Sequence, residues 1–243
     1  MTQATPKIFV GTMFSNENEF SNSCTSLFSQ TNVEIDHCII HGKRELQAHQ
    51  ALYKKWNEVK KDYDAFIQLD PDTVLYNSNT LRDMYDRLTI YHSQSQNYTS
   101  IQCALDDFFI NQPIYGLNMY LPDVIFNMPT DEVHCDRSTL NNRTFCEADA
   151  VGSHCSNPTF KQAFHFGLHR GLKNKLHQRY DCESVFKKLG DDRRCMAILG
   201  FDMSHKFRLN EKTSYVDEEF ETAYIIACTN LYDFKKNLIN EKI

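Results

Sequence analysis

The chain has 243 residues, 41% of them apolar, and a net charge of -6 with histidine neutral. That length and apolar content allow a real core and exclude global disorder. The acidic balance, with no long stripe of Lys and Arg, excludes a nucleic-acid polymer as the main partner. No window approaches the roughly 18 apolar residues of a transmembrane segment, and MTQATPKIFV holds no apolar run of signal-peptide length. The nine cysteines therefore read as mostly reduced thiols of a cytoplasmic protein.

Lys7 to Met13 reads as a first strand, nearly continuous in apolar residues and so buried on both faces. It breaks into the polar turn Ser15 to Glu19, where Ser15 or Asn16 can cap a helix running to about Gln30. Phe20, Cys24, Leu27 and Phe28 share one face of that helix. Val33 to Ile40 is a second strand, closing on His41-Gly42. Glu45 to Lys60 is a second helix, with Leu46, Leu52, Trp56 and Val59 as its apolar positions. A third strand, Ala65 to Leu69, ends in Asp70-Pro71-Asp72. The order β-α-β-α-β with short connections predicts an α/β fold of Rossmann-like type, with a mostly parallel central sheet flanked by helices.

Ligands in such sheets bind beyond the C-terminal ends of the strands. Thr12 to Glu17, His41-Gly42 and Asp70 to Asp72 then converge on one rim. No glycine fingerprint or phosphate-cradling loop follows the first strand. Phosphates would therefore be held through a cation. Two carboxylates leaving a buried strand need water or a cation, and the pair suits Mn²⁺ or Mg²⁺ bridging to substrate phosphates.

Asn77 to Thr89 reads as a third helix, with Leu81, Met84 and Leu88 inward. The pattern then becomes irregular. Ile101 to Phe109, Ile114 to Tyr120 and Val124 to Phe126 are short strands or turns, and Thr130 to Cys155 holds few long periodic elements. His134, Cys135, Cys146, His154 and Cys155 lack zinc-knuckle spacing, so the cysteines read as scattered buried thiols, with convergence of residues 135, 146 and 155 on a structural zinc as the alternative. Pro158 to Gln178 is the clearest later helix, capped by Asn157 or Thr159. Phe160, Phe164, Leu168 and Leu172 form its buried face. A further helix begins around Gly190 to Arg194. The tail from Val216 to Asn237 is an amphipathic helix that could cap the domain, pair with a second copy in a homodimer, or lie against a membrane; core packing is the default.

Val10 to Glu17, then Ser26-Leu27-Phe28-Ser29-Gln30, then Phe66 to Asp72 followed by Thr73 to Leu75 form an ordered set. This set resembles the inverting, family-2-like glycosyltransferases of the GT-A fold over roughly the first 90 residues. The resemblance implies one GT-A-like catalytic domain over 1–243, with a nucleotide-binding half (1–90) and an irregular acceptor-side half (91–243). It implies Asp70 and Asp72 as the metal and diphosphate motif. Thr12, Met13, Asn16, Glu17 and Asp70 would surround the nucleotide sugar. His41-Gly42-Lys43 stands where the family carries an acidic run, and His41 could stack on the base. His154 would complete the metal site. In Phe145 to Ala150, Glu147 and Asp149 share one face of a strand and match the family's acceptor base, with Asp106 or Asp107 in reserve.

The expected function is a metal-dependent transfer of a sugar from a nucleotide-diphospho-sugar donor to a glycan or lipid-linked saccharide acceptor, with inversion. The expected place is the cytoplasm or the inner face of a membrane, with peripheral association. The alternatives are a nucleotidyltransferase that makes sugar nucleotides and a non-catalytic carbohydrate-binding or scaffold protein.

Overall fold

The computed structural model describes residues 4–131, 134–136, 139–206 and 217–240. The chain divides into two compact units. The first comprises Met1–Asp107, Gln112–Thr130 and Cys135–Ser156; the second comprises Phe108–Asn111, Asp131–His134 and Asn157–Ile243.

The first unit carries a seven-stranded sheet of β1 (Lys7–Phe14), β2 (Glu34–His41), β3 (Ala65–Gln68), β4 (Thr73–Leu75), β5 (Ser100–Asp107), β6 (Pro113–Tyr120) and β7 (Thr144–His154), in the order β2-β1-β3-β6-β5-β7-β4. The mostly parallel sheet expected from the sequence is corrected to a mixed one. β1 runs parallel to β2 and β3, and β5 to β7, whereas β3–β6, β5–β6 and β4–β7 are antiparallel. The short link from Asp107 to Pro113 leaves no room for a crossover helix, so β5 and β6 pair antiparallel.

The Asp70 turn shapes the sheet. Thr73 N–H donates to the Asp70 carbonyl at 3.0 Å, a β-turn with Pro71 at its favoured second position. β3 and β4 stand at the third and seventh places of the sheet, which on a flat sheet are about 19 Å apart. The chain from Gln68 to Thr73 reaches at most about 18 Å even when fully extended. The sheet therefore curls, and its last strand returns toward β3.

Helices α1 (Phe20–Phe28), α2 (Glu45–Val59) and α3 (Thr80–Tyr91) cover this sheet. Alternation along β1 splits the core in two. Ile8 and Val10 pack with Leu27 of α1 and with Leu81, Met84 and Leu88 of α3. Phe9 on the opposite face packs with Leu52, Tyr53 and Trp56 of α2 and with Phe66. Trp56 stacks on Phe66 at 5.1 Å between ring centroids. Gly11 lets α2 approach: a Cβ there would stand 2.3 Å from Leu52 Cδ1. The cap expected at Ser15 or Asn16 is not used, since α1 starts at Phe20 behind Glu19, with no side-chain cap. β7 is an 11-residue strand in a stretch where the sequence suggested few regular elements.

The second unit is helical: α4 (Phe160–Leu172), α5 (Leu176–Leu189), α6 (Asp192–Lys206) and α7 (Glu218–Asn240). The single helix expected over 158–178 is two helices. Asn174, at φ 56°, adopts the left-handed conformation that Asn tolerates and so ends the first. Thr159 closes a capping box with Gln162 at the start of α4. Gly167 and Gly171 on α4 and Gly200 on α6 bring the two backbones together, and a Cβ on Gly167 would lie 1.8 Å from the Ala197 carbonyl oxygen. Gly190, at φ 70°, terminates α5. The expected start of the tail helix at Val216 lies outside the described residues; of the apolar stripe expected at Phe220, Ala223, Ile226, Ala227 and Leu231, Phe220, Ala223 and Ala227 are buried, Leu231 is half-buried and Ile226 is exposed. No helix among the described residues is long and apolar enough to cross a membrane.

Candidate metal centre

Strand register assembles a cluster around His154. At the end of β7, His154 is paired with Thr73 of β4 on one side and with Asp107 of β5 on the other. Asp72 immediately precedes Thr73, so three neighbouring strand ends bring Asp72, His154 and Asp107 together. Cys155 follows β7 at φ 52°, a left-handed backbone unusual for cysteine. Its N–H donates to the Asp72 carbonyl at 3.0 Å, and its Sγ donates to Asp72 Oδ2 at 2.8 Å.

His154 is held in one orientation. Its Nδ1 donates to Asp107 Oδ2 at 2.7 Å, and both residues are buried. That bond leaves Nε2 facing Asp72 Oδ2 at 3.8 Å and Cys155 Sγ at 3.7 Å. A carboxylate behind an imidazole is the arrangement that fixes the tautomer of metal-binding histidines. The ligand atoms of Asp72, His154 and Cys155 all lie within 4.8 Å of one another.

More negative charge surrounds this core. Burial and the charges of Asp72 and then Asp70 raise the Glu17 carboxyl to about 7, against the backbone N–H groups that hold it down. Ser15 N–H donates to Glu17 Oε2 at 2.7 Å. Burial, followed by the charge of Asp72, raises Asp70 to about 6. Burial, then Asp72, pushes the Cys155 thiol well above its usual value, with Asp107 and Glu19 adding to the effect. Glu19 is itself buried. Carboxylates packed together without a cation resist ionising together.

The donor set fits a divalent cation. Asp72 Oδ1 is buried and meets no hydrogen-bond donor among the described residues, a costly state for a carboxylate oxygen that lacks a cation. Oxygen ligands with one imidazole suit Mn²⁺, and Mg²⁺ where oxygen and water complete the shell.

The remaining residues expected at the site fall in several places. Thr12 is buried, with Oγ1 2.9 Å from His37 Nε2. Met13 packs against the aromatic cluster under α2. Asn16 is exposed in a left-handed turn at φ 72°. His41 is exposed and stacks on Phe14 at 5.2 Å, and Phe14 stacks on Phe20 at 4.0 Å, a ring platform at the ends of β1 and β2. Glu147 binds Arg87 Nη1 at 2.9 Å, and Asp149 is exposed. At about 3.3 Å per residue along β7, these two lie roughly 17 to 23 Å before His154, so the structure does not bring them into the cluster. Asp106 accepts from Tyr76 Oη at 2.7 Å. Asp107, Glu19 and Cys155 are the cluster members that pattern reading did not place there; Asp107 was expected only as a reserve base. The adjacent Asp106-Asp107 and His154-Cys155 pairs were the available signals.

No family model matches the chain, and no curated protein matches it. Among solved structures, it is similar to the mannosyltransferase PcManGT from Pyrobaculum calidifontis in complex with GDP-Man and Mn²⁺. That match has 8% identity, covers 98% of this chain and 88% of the other, and has a TM-score of 0.41. It is also similar to the protein A197 from STIV, at 11% identity over 48% of this chain and 64% of that one, with a TM-score of 0.32. Neither likeness assigns a family.

Proposed function

We propose that the chain is a metal-dependent glycosyltransferase of GT-A type that uses a nucleotide-diphospho-sugar donor and transfers the sugar with inversion to a glycan or lipid-linked saccharide acceptor. The observation that carries this reading is the cluster of Asp72, His154 and Asp107 at the strand ends, with Asp72 Oδ1 buried and meeting no donor among the described residues. Asp72 and His154 would hold Mn²⁺ or Mg²⁺, with Asp70 and Glu17 facing the same charge. A cation bound there would neutralise the departing diphosphate. Asp107 keeps the His154 proton on Nδ1 and leaves Nε2 as a ligand. His41 and Phe14 offer a surface on which a nucleobase could stack.

Acceptor activation needs a carboxylate within hydrogen-bond reach of the acceptor hydroxyl. Glu17, raised to about 7 by burial and the charges of Asp72 and Asp70, lies beside the proposed cation site and would serve this step for an acceptor bound there. Glu147 and Asp149 would serve only an acceptor lying along β7. The test is isothermal titration of the protein with uridine and guanosine diphosphates, with and without Mn²⁺. Binding that requires Mn²⁺ and is lost in Asp72→Asn supports the proposal. No binding of any nucleoside diphosphate in saturating Mn²⁺ would sink it.

A further inference from the structure

A second group of ligand-type side chains lies in the first unit, away from the strand-end cluster. Glu45 and His49 sit one turn apart on α2, a spacing that puts both on the same side of the helix. Cys135 comes from the segment after β6. A carboxylate oxygen of Glu45, a ring nitrogen of His49 and Cys135 Sγ all lie within 4.8 Å of one another. Cys135 Sγ stands 3.5 Å from Glu45 Oε1. His49 and Cys135 are 2% and 0% exposed, so a cation there would be shielded from bulk water on most sides.

The geometry points to a site for a thiophilic divalent cation, Zn²⁺ by preference, ligated by Glu45, His49 and Cys135. In a tetrahedral zinc centre the ligand atoms stand about 3.4 Å apart, so side-chain movements of about 1 Å bring these three onto one ion. The donor set of thiolate, imidazole and carboxylate selects zinc over the harder ions that suit the Asp72 cluster. Binding converts the Cys135 thiol to a thiolate and releases its proton to solvent. Three protein ligands leave a fourth position for water.

The site would pin the segment at Cys135 to α2. That segment bears on the strand-end cluster, because the charge of the neighbouring Asp136 is one of those that raise Asp70. One turn beyond His49 on α2, Tyr53 Oη donates to Gln68 Oε1 at 3.2 Å, and the Gln68 side chain bonds Asp70. The zinc site would thus brace the loop and helix that stand behind Asp70. This inference does not depend on the transferase reading.

Co²⁺ is the probe, because a thiolate ligand gives it a near-ultraviolet charge-transfer band. The full chain is stripped with chelator and titrated with Co²⁺, then Zn²⁺ is added to displace it. The wild type is expected to show the band at one equivalent and to lose it on adding Zn²⁺. The band should be absent in Cys135→Ser, absent or shifted in His49→Gln, and retained in Cys155→Ser, which removes the thiol of the other cluster. Glu45→Gln, a change at a partly exposed helix start, tests the same site should Cys135→Ser fail to fold; it is expected to weaken Co²⁺ binding at least about tenfold. No thiolate band in the wild type overturns the inference. So does a band that survives Cys135→Ser and disappears in Cys155→Ser, or a Glu45→Gln protein that binds like the wild type.

Discussion

The Glu17 carboxyl makes a direct test of the crowded acid cluster. Burial and the Asp72 and Asp70 charges raise it from 4.5 to about 7. A carboxyl raised in the folded state keeps its proton over a range where the unfolded chain has lost it. Its contribution to stability is therefore complete below pH 4.5 and is lost as pH rises through 7. The full shift is worth at most about 3 kcal/mol; contact with water at its partly exposed edge reduces this to about 1–2 kcal/mol. Glu17→Gln cannot ionise, so metal-free Glu17→Gln should gain about that much over the wild type between pH 5 and pH 8. Asp70, raised to about 6, gives the wild type a second loss of the same sign, which the variant retains. The chain has one tryptophan, Trp56, fully buried in the first unit, so its fluorescence during urea unfolding follows that unit. Adding Mn²⁺ at pH 8 should restore the wild type more than Glu17→Gln, because a cation favours the ionised acid. Parallel stability curves for wild type and variant from pH 5 to pH 8 would refute the reasoning.

Asp107→Asn keeps the shape but removes the charge behind His154 Nδ1, and should weaken Mn²⁺ binding about 10- to 100-fold by calorimetry; unchanged affinity would mean His154 is not held for a cation. Gly167→Ala places a Cβ 1.8 Å from the Ala197 oxygen. The gain of about 1 kcal/mol in helix propensity is outweighed by overpacking of about 1–3 kcal/mol or more, so circular dichroism should show helix loss at a lower temperature, and an unshifted melt would contradict the close approach of α4 and α6. Glu147→Gln breaks the pair with Arg87, whose side chain is 54% exposed, and should cost less than about 1 kcal/mol. It should also leave Mn²⁺-dependent nucleotide affinity unchanged, and a loss of that affinity would draw β7 into the donor site.

Much of the first unit was legible because its signals are local. The apolar runs of Lys7 to Met13 and Ala65 to Leu69, and the helical spacing of Leu52 and Trp56, each lie within one window, and strands and helices form there. β7 was not legible. Its apolar positions are interrupted by Glu147, Asp149 and Gly152, and what makes it a strand is pairing with β5 and β4, which no single window contains. Mixed strand direction escaped for the same reason: it is set by which strand the chain returns to. The break between α4 and α5 had a single local signal, Asn174, within an otherwise continuous apolar period. At the site, Asp70, Asp72, Glu17 and His154 stood out by residue type and position. Asp107 and Cys155 belong to the cluster only through the β5–β7 register and the left-handed backbone at residue 155, and those follow from long-range pairing.

The same long-range pairing explains why a cation at Asp72 should do more than hold a phosphate. Asp72 leaves the turn between β3 and β4, His154 ends β7 and Asp107 ends β5. These strands belong to the part of the sheet that curls back, where pairing with β7 makes β4 the last strand and the turn at Pro71 keeps it close to β3. β4 has only three residues, so few ladder hydrogen bonds fix its place. In the metal-free protein the carboxylates around it repel one another, which adds to the burial that raises Glu17 and Asp70. A cation shared by Asp72 and His154 would replace that repulsion with attraction at the point where the ladder is shortest. The strand end that would bind the diphosphate is then also the strand end whose position depends on the metal. On the proposed reading, metal occupancy and ordering of the donor site would be coupled for this reason, and a stabilising response to Mn²⁺ should be concentrated in β4 and the Asp70 turn rather than spread across the sheet.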